Sequence, residues 1–299
     1  MSSVQFSGTY TALVTPLTPG GAKVDFEALE RLVEDQIAGG ISGLVPCGTT
    51  GEAPTLSDAE QQAVTERVVK TAAGRVPVIA GTGSFSTDKS VKASRAALEL
   101  GVDGVMVVMP YYNKPSQEGM RAHVTAVAQS VDCPVVMYNV PGRSAVDLAA
   151  ETTEQICEQA ANVVALKDAT GNVLRCQEVK RRLGDRLAVM SGDDGLTVGM
   201  MAVGASGVIS VSSNVLPRRV SEVTRVMATG QLTEARALHM PLLEWHAAMF
   251  VEPNPVPCKV ALCLLGKMGA DVRLPLVGAS DVTTTRVRDL LVQLGEIEA

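Results

Sequence analysis

Short, mostly apolar runs alternate with longer amphipathic stretches from the N-terminus to about residue 228. The runs fall at 8–14, 43–46, 77–80, 104–109, 135–139, 163–168, 187–191 and 207–211. Most are closed by Gly, Pro, Thr or Asn, and their Val, Ile and Leu content suits strands buried on both faces. The stretches between them carry helical periodicity. Asp25 is placed to cap a helix with Leu29, Leu32, Val33 and Ile37 on one face, and Gly39-Gly40 ends it. Ser57 opens another, with Glu60 completing a capping box. Further helices are predicted to about residue 100, then over 116–130, 152–160, 172–183, 196–203 and on to about 228.

Eight β-then-α units in succession predict a closed parallel (β/α)8 TIM barrel. The alternative, an open doubly wound sheet, asks for a Gly-rich phosphate turn after the first strand. The chain has Thr15-Pro16-Leu17-Thr18-Pro19 there. From about Leu232 only helical periodicity remains, with breaks at Glu252-Pro253-Asn254-Pro255 and near Pro275. The expected division is a catalytic barrel over 1–230 and a helical appendage over 231–299.

Composition narrows the class. Of 299 residues, 46% are hydrophobic and only 3% aromatic, so the core is built from Ala, Val, Leu, Ile and Met. A net charge of −6 gives no support to nucleic-acid or anionic-membrane binding. No apolar run is long enough to span a bilayer. Met1-Ser2-Ser3-Val4-Gln5-Phe6 lacks the basic and apolar regions of an export signal, which predicts a cytoplasmic protein. Six scattered cysteines without a Cys-x-x-Cys read as reduced core thiols rather than a metal or redox centre.

The sixth run, Val163-Val164-Ala165-Leu166-Lys167-Asp168, ends abruptly in a lysine. Alone, such a lysine more often snorkels out of the strand end. Turned into an apolar pocket, a lysine amine is favoured in its neutral form, and a neutral amine attacks carbonyls. In a barrel, functional groups collect at the C-terminal ends of the strands. Those ends carry Thr49 and Thr50, Tyr111 and Tyr112, Tyr138, Arg143 and Gly192-Asp193-Asp194. An amine, hydroxyls that pass protons and a guanidinium that grips a carboxylate suit carbonyl chemistry on a small anionic substrate.

Each residue has a plainer alternative. The threonines fit turn chemistry, the tyrosines packing or subunit contact, and Arg143 a solvated loop charge. Asp193-Asp194 has no His or Glu cluster beside it and reads as turn-forming rather than metal-binding. His123, His239 and His246 fall in helix or tail segments, away from the mouth.

Gly48-Thr49-Thr50-Gly51-Glu52, Pro110-Tyr111-Tyr112-Asn113-Lys114-Pro115 and Tyr138-Asn139-Val140-Pro141-Gly142-Arg143 together resemble the dihydrodipicolinate synthase family. So do Leu166-Lys167-Asp168-Ala169-Thr170-Gly171, Ser191-Gly192-Asp193-Asp194, Gly207-Val208-Ile209-Ser210-Val211 and Glu252-Pro253-Asn254-Pro255, in order along the chain. The wider group includes N-acetylneuraminate lyase and keto-deoxy-sugar-acid aldolases. The resemblance implies that Lys167 forms an imine with pyruvate and that no other cofactor or metal is needed. It implies that Tyr138 shuttles protons in a relay with Thr49 and with Tyr112 from a neighbouring subunit. Thr50 and the backbone around Gly192 and Ile209 hold the pyruvate end, and Arg143 binds the carboxylate of L-aspartate 4-semialdehyde. It implies lysine and diaminopimelate biosynthesis as the pathway, and a homotetramer built as a dimer of dimers.

Members of this family inhibited by L-lysine bind it through Ser and His residues after the Thr-Thr-Gly-Glu turn and an Asn and a Glu after the third strand. The matching positions here are Ala53, Asp58, Gln61, Phe85 and Lys89. A cation where an anion should hold the lysine amine repels it, so insensitivity to L-lysine is expected. The rival within the group is a sugar-acid aldolase, which needs no carboxylate clamp at Arg143. A catalytically dead barrel is the rival outside it, and it has no need of Lys167, Tyr138, Thr49 and Tyr112 together.

Overall fold

Eight parallel strands form at the expected places in the computed structural model, which describes residues 4–298. They are β1 (Gly8–Ala12), β2 (Gly43–Val45), β3 (Ile79–Gly81), β4 (Gly104–Val108), β5 (Val135–Asn139), β6 (Val163–Asp168), β7 (Ala188–Ser191) and β8 (Gly207–Ser210). Their order is β2-β1-β8-β7-β6-β5-β4-β3. A parallel bridge between Leu44 and Val78 closes the circle, backed by Gly81 N–H donating to Pro46 O at 2.9 Å. The result is the (β/α)8 barrel the alternation predicts.

The helices begin where the capping residues place them. Asp25 accepts from Ala28 N–H, and Ser57 and Glu60 form the full capping box. Four strands (β1, β2, β4 and β8) end one or two residues before the sequence expectation, and at β1 and β8 side chains take over the ladder's donors. At the end of β1, Val14 N–H donates to Asn214 Oδ1 at 3.0 Å. At the end of β8, Val211 and Ser212 N–H both donate to Asp194 Oδ2, at 2.9 and 3.2 Å. A short helix, Pro141–Ser144, follows β5 where the sequence reading has only a loop.

Strand alternation divides the core in two. Phe6, Tyr10, Ala12, Val45, Ile79, Met106, Val136, Ala165, Met190 and Ile209 fill the barrel interior. A larger cluster, with Leu44, Val105, Val107, Met137 and Leu166, packs the strands against the helices. At the N-terminal end Phe6 stacks on Tyr10 with ring centroids 5.7 Å apart. Gly43 has to be glycine there, because a Cβ would lie 2.2 Å from the Tyr10 ring.

After β8 and the helix Pro217–Ala228 only helices follow: Leu232–His239, Leu243–Ala248, Val256–Leu264 and Asp281–Gln293. Two histidines join this region to the barrel's loops. His239 Nε2 lies 3.1 Å from Gly195 O, and His246 Nδ1 shares a 2.8 Å hydrogen bond with Ser212 Oγ. Both are buried, as is His123. Asp193 accepts from Gly195 N–H at 2.9 Å, and buried Asp194 takes the donors at the end of β8. The pair therefore builds turns.

Candidate active site at the barrel mouth

The position of Lys167 depends on an irregularity in β6. Val135 pairs with Val163, but Val136 pairs with Ala165, so Val164 is an extra residue in the strand. Such a bulge shifts the alternation by one and re-aims every later side chain. Val163 and Leu166, three residues apart, accordingly both lie in the outer cluster, while Ala165 faces the interior. Without the bulge Lys167 would follow Val163 and Ala165 to the outer layer. With it, Lys167 sits opposite Tyr138 in the register and points into the barrel.

There the lysine is 5% exposed. Its Nζ rests over the Tyr138 ring, 4.1 Å from the centroid. Ala165, Met190, Val136 and Ile209 surround this layer. No carboxylate pairs with Lys167 among the described residues, so it does not belong to an ion pair. A buried amine on an aromatic face inside an apolar barrel is not a surface-solvated lysine, and an amine so placed can add to a carbonyl brought to it.

A cavity of about 680 Å³ opens at the Tyr138 ring, and Lys167 itself is not among the residues that line it. Thr49, Tyr138 and Arg143 all line it, together with Tyr111 and Val140. Arg143 is on the short helix Pro141–Ser144, whose fold turns the chain directly after β5 and brings the guanidinium back over the mouth. The cavity continues between the helices Asp58–Ala72 and Thr87–Glu99, where Ala53, Asp58, Gln61, Phe85 and Lys89 line it.

The other expected residues are placed differently. Thr50 is buried beside the mouth, and its hydroxyl oxygen accepts from Asn254 Nδ2 at 2.9 Å. Gly192 follows β7, where a Cβ would lie 2.6 Å from Ala169 Cβ. Its N–H already donates to Asp168 O at 2.7 Å. Ile209 contributes to the interior beside Tyr10 in the register. Tyr112 is not gathered with the rest. It is 89% exposed at φ +71°, a left-handed conformation that a bulky residue rarely adopts.

Three contributors escape the sequence reading. Asn254 belongs to a motif quoted there without a role. Lys259 and Glu52 form an ion pair with side chains 0% and 1% exposed, the ammonium 2.5 Å from Glu52 Oε1. Glu52 ends the turn that bears Thr49 and Thr50, at φ +55°. A signal for Lys259 was present: it is a lysine interrupting the apolar run Val256-Pro257-Cys258-Lys259-Val260-Ala261-Leu262, the same anomaly that singles out Lys167.

Residues 5–294 match the family model described as the dihydrodipicolinate synthetase family. A relative from Sorangium cellulosum, named 4-hydroxy-tetrahydrodipicolinate synthase, is 64% identical over 98% of this chain and 98% of its own. The crystal structure of dihydrodipicolinate synthase from Aquifex aeolicus is similar with a TM-score of 0.95, at 43% identity over 97% of this chain and 98% of that one. The crystal structure of dihydrodipicolinate synthase from Cyanidioschyzon merolae with lysine bound is similar at a TM-score of 0.95 and 36% identity, over 98% of this chain and 99% of that one. With sequence and architecture agreeing over nearly its full length, the chain belongs to the dihydrodipicolinate synthetase family.

Proposed function

We propose that the protein condenses pyruvate with L-aspartate 4-semialdehyde through an imine on Lys167, the activity for which its relatives are named. The observation that carries this reading is the inward-turned Lys167, its amine 4.1 Å from the centroid of the Tyr138 ring, a ring that lines the same cavity as Thr49 and Arg143. Lys167 Nζ attacks the ketone carbon of pyruvate, water leaves, and a protonated imine forms. Loss of a methyl proton gives an enamine, with the imine nitrogen as electron sink. Tyr138, Thr49 and Tyr112 of a neighbouring copy carry that proton. The enamine carbon then attacks the aldehyde carbon. The semialdehyde's own amine displaces Lys167, which closes the ring and frees the enzyme.

The imine is itself the electron sink, so this chemistry calls for no metal or organic cofactor. Thr50 and the backbone at Gly192 and Ile209 hold the pyruvate end. A second copy is part of the reading because Tyr112, exposed and strained in one chain, completes the relay only from across an interface. The assembly is a dimer of dimers, working in the cytoplasm in lysine and diaminopimelate synthesis.

Turnover of pyruvate with aspartate semialdehyde, set against a panel of sugar-derived aldehydes, tests the second substrate. Arg143→Ala is expected to raise KM for the semialdehyde about tenfold or more, as loss of a charge-assisted fork does. KM for pyruvate should change far less. Preferential turnover of a neutral polyol aldehyde, with Arg143→Ala silent, would move the assignment to a sugar-acid aldolase.

The protein is also expected to be insensitive to L-lysine. Lys89 lines the side branch of the cavity, its Nζ 5.9 Å from the Phe85 ring centroid. A second ammonium entering there meets a like charge. A steady-state titration should show full activity at millimolar L-lysine, and strong inhibition below that concentration would refute the expectation.

A further inference from the structure

Thr50 and Asn254 meet from opposite ends of the fold. Thr50 lies in the turn after β2. Asn254 lies just ahead of the helix Val256–Leu264, 204 residues later, and is 6% exposed. Its amide donates to Thr50 Oγ1 at 2.9 Å. A hydroxyl carries one proton and two acceptor sites. With an acceptor site filled by Asn254, the Thr50 proton is directed elsewhere, and among the described residues no protein oxygen receives it.

The turn beneath is held rigidly. Lys259 Nζ contacts Glu52 Oε1 at 2.5 Å, and Arg273 N–H donates to Glu52 Oε2 at 3.1 Å. Asn254 itself is kept at a cost, since its Oδ1 is buried without a protein partner among the described residues. An amide with half its bonding capacity unmet is a poor packing element and a good device for orienting one hydroxyl.

We propose that Asn254 is a positioning residue for pyruvate: it fixes the Thr50 hydroxyl as a donor aimed at the substrate carboxylate. This rests on the reading above, in which Thr50 holds that carboxylate. The helical region after the barrel then takes part in substrate recognition through a single hydrogen bond.

The experiment is steady-state kinetics on the full chain, comparing Asn254→Ala, Asn254→Asp, Thr50→Val and the Thr50→Val/Asn254→Ala double variant. Asn254→Ala should raise KM for pyruvate about tenfold, the loss of one oriented hydrogen bond. Its kcat should stay within about threefold, and KM for the semialdehyde should be unchanged. Asn254→Asp should be worse, because a carboxylate accepts the Thr50 proton and repels the substrate's negative charge. The double variant should be no weaker than Thr50→Val alone, since both remove the same interaction. If Thr50→Val raises KM for pyruvate and the Asn254 variants do not, the inference is wrong and the role of Thr50 stands. If Thr50→Val leaves KM for pyruvate unchanged, the role given to Thr50 fails first, and the inference with it. The near-isosteric aspartate variant decides the matter if the alanine variant does not fold.

Discussion

Lys167→Arg is expected to lower turnover by about three orders of magnitude or more, as removal of a covalent nucleophile does. Arginine keeps the positive charge and much of the length of the side chain, but its guanidinium stays protonated and cannot add to a ketone. The variant therefore separates charge from nucleophilicity, which an alanine replacement does not. Incubation of the native protein with pyruvate and borohydride should reduce the imine and leave a covalent mass on the peptide containing Lys167. Lys167→Arg should show no such adduct. Tyr138→Phe offers the instructive contrast. It keeps the ring on which the amine rests, 4.1 Å from the centroid, and removes only the hydroxyl. It should still be trapped by pyruvate, while its turnover falls by about 10²–10⁴-fold, the usual worth of a positioned proton carrier. A pyruvate adduct on Lys167→Arg, or a native protein that traps nothing, would end the Schiff-base reading.

The alternation of apolar runs with amphipathic helices was enough to read the barrel, because each unit states its own period and its own caps. Asp25, Ser57 and Glu60 announce helix starts within a few residues of their contacts, and those contacts form. The orientation of Lys167 was not legible in the same way. Simple alternation from Val163 turns the lysine away from the barrel interior, and only the extra residue at Val164 brings it back. A bulge depends on how two strands are paired, and one strand's sequence does not contain that information. The mouth residues were legible as anomalies on separate loops, and the barrel's closure is what brings Thr49, Tyr138 and Arg143 around one cavity. Tyr112 marks the limit of a single chain. In the proposed reading its hydroxyl acts only with a second copy against it. Lys259 stands out locally as a lysine in an apolar run, but its partner Glu52, like the Thr50 partner of Asn254, lies some 200 residues away, and no local pattern shows those pairings.

Lys259→Ala is the replacement expected to cost most in stability. The side chain is fully buried in a helix that is otherwise apolar, and burial pushes its amine below the ordinary lysine range while Glu52 pulls it back. Besides Glu52, the ammonium donates to Asp271 O at 2.7 Å. Removing it leaves the Glu52 carboxylate 1% exposed without its direct ion-pair partner, the nearby Arg273 guanidinium being engaged by Glu60. Breaking a buried pair from one side typically costs about 3–5 kcal/mol, well above the worth of the pair itself. Urea titration should show a loss of that size. Replacing both partners, as Lys259→Met with Glu52→Gln, should recover much of it, because neither side chain then holds an unpaired buried charge. Activity should not recover in step. Glu52 fixes the end of the Thr49–Thr50 turn in a left-handed conformation and accepts from Arg273 N–H through its carboxylate, so the neutral pair holds that turn less firmly. The double variant is therefore expected to be folded and stable but to keep a raised KM for pyruvate. If Lys259→Ala loses less than about 1 kcal/mol, the range of an exposed ion pair, then the pair is not what anchors the turn.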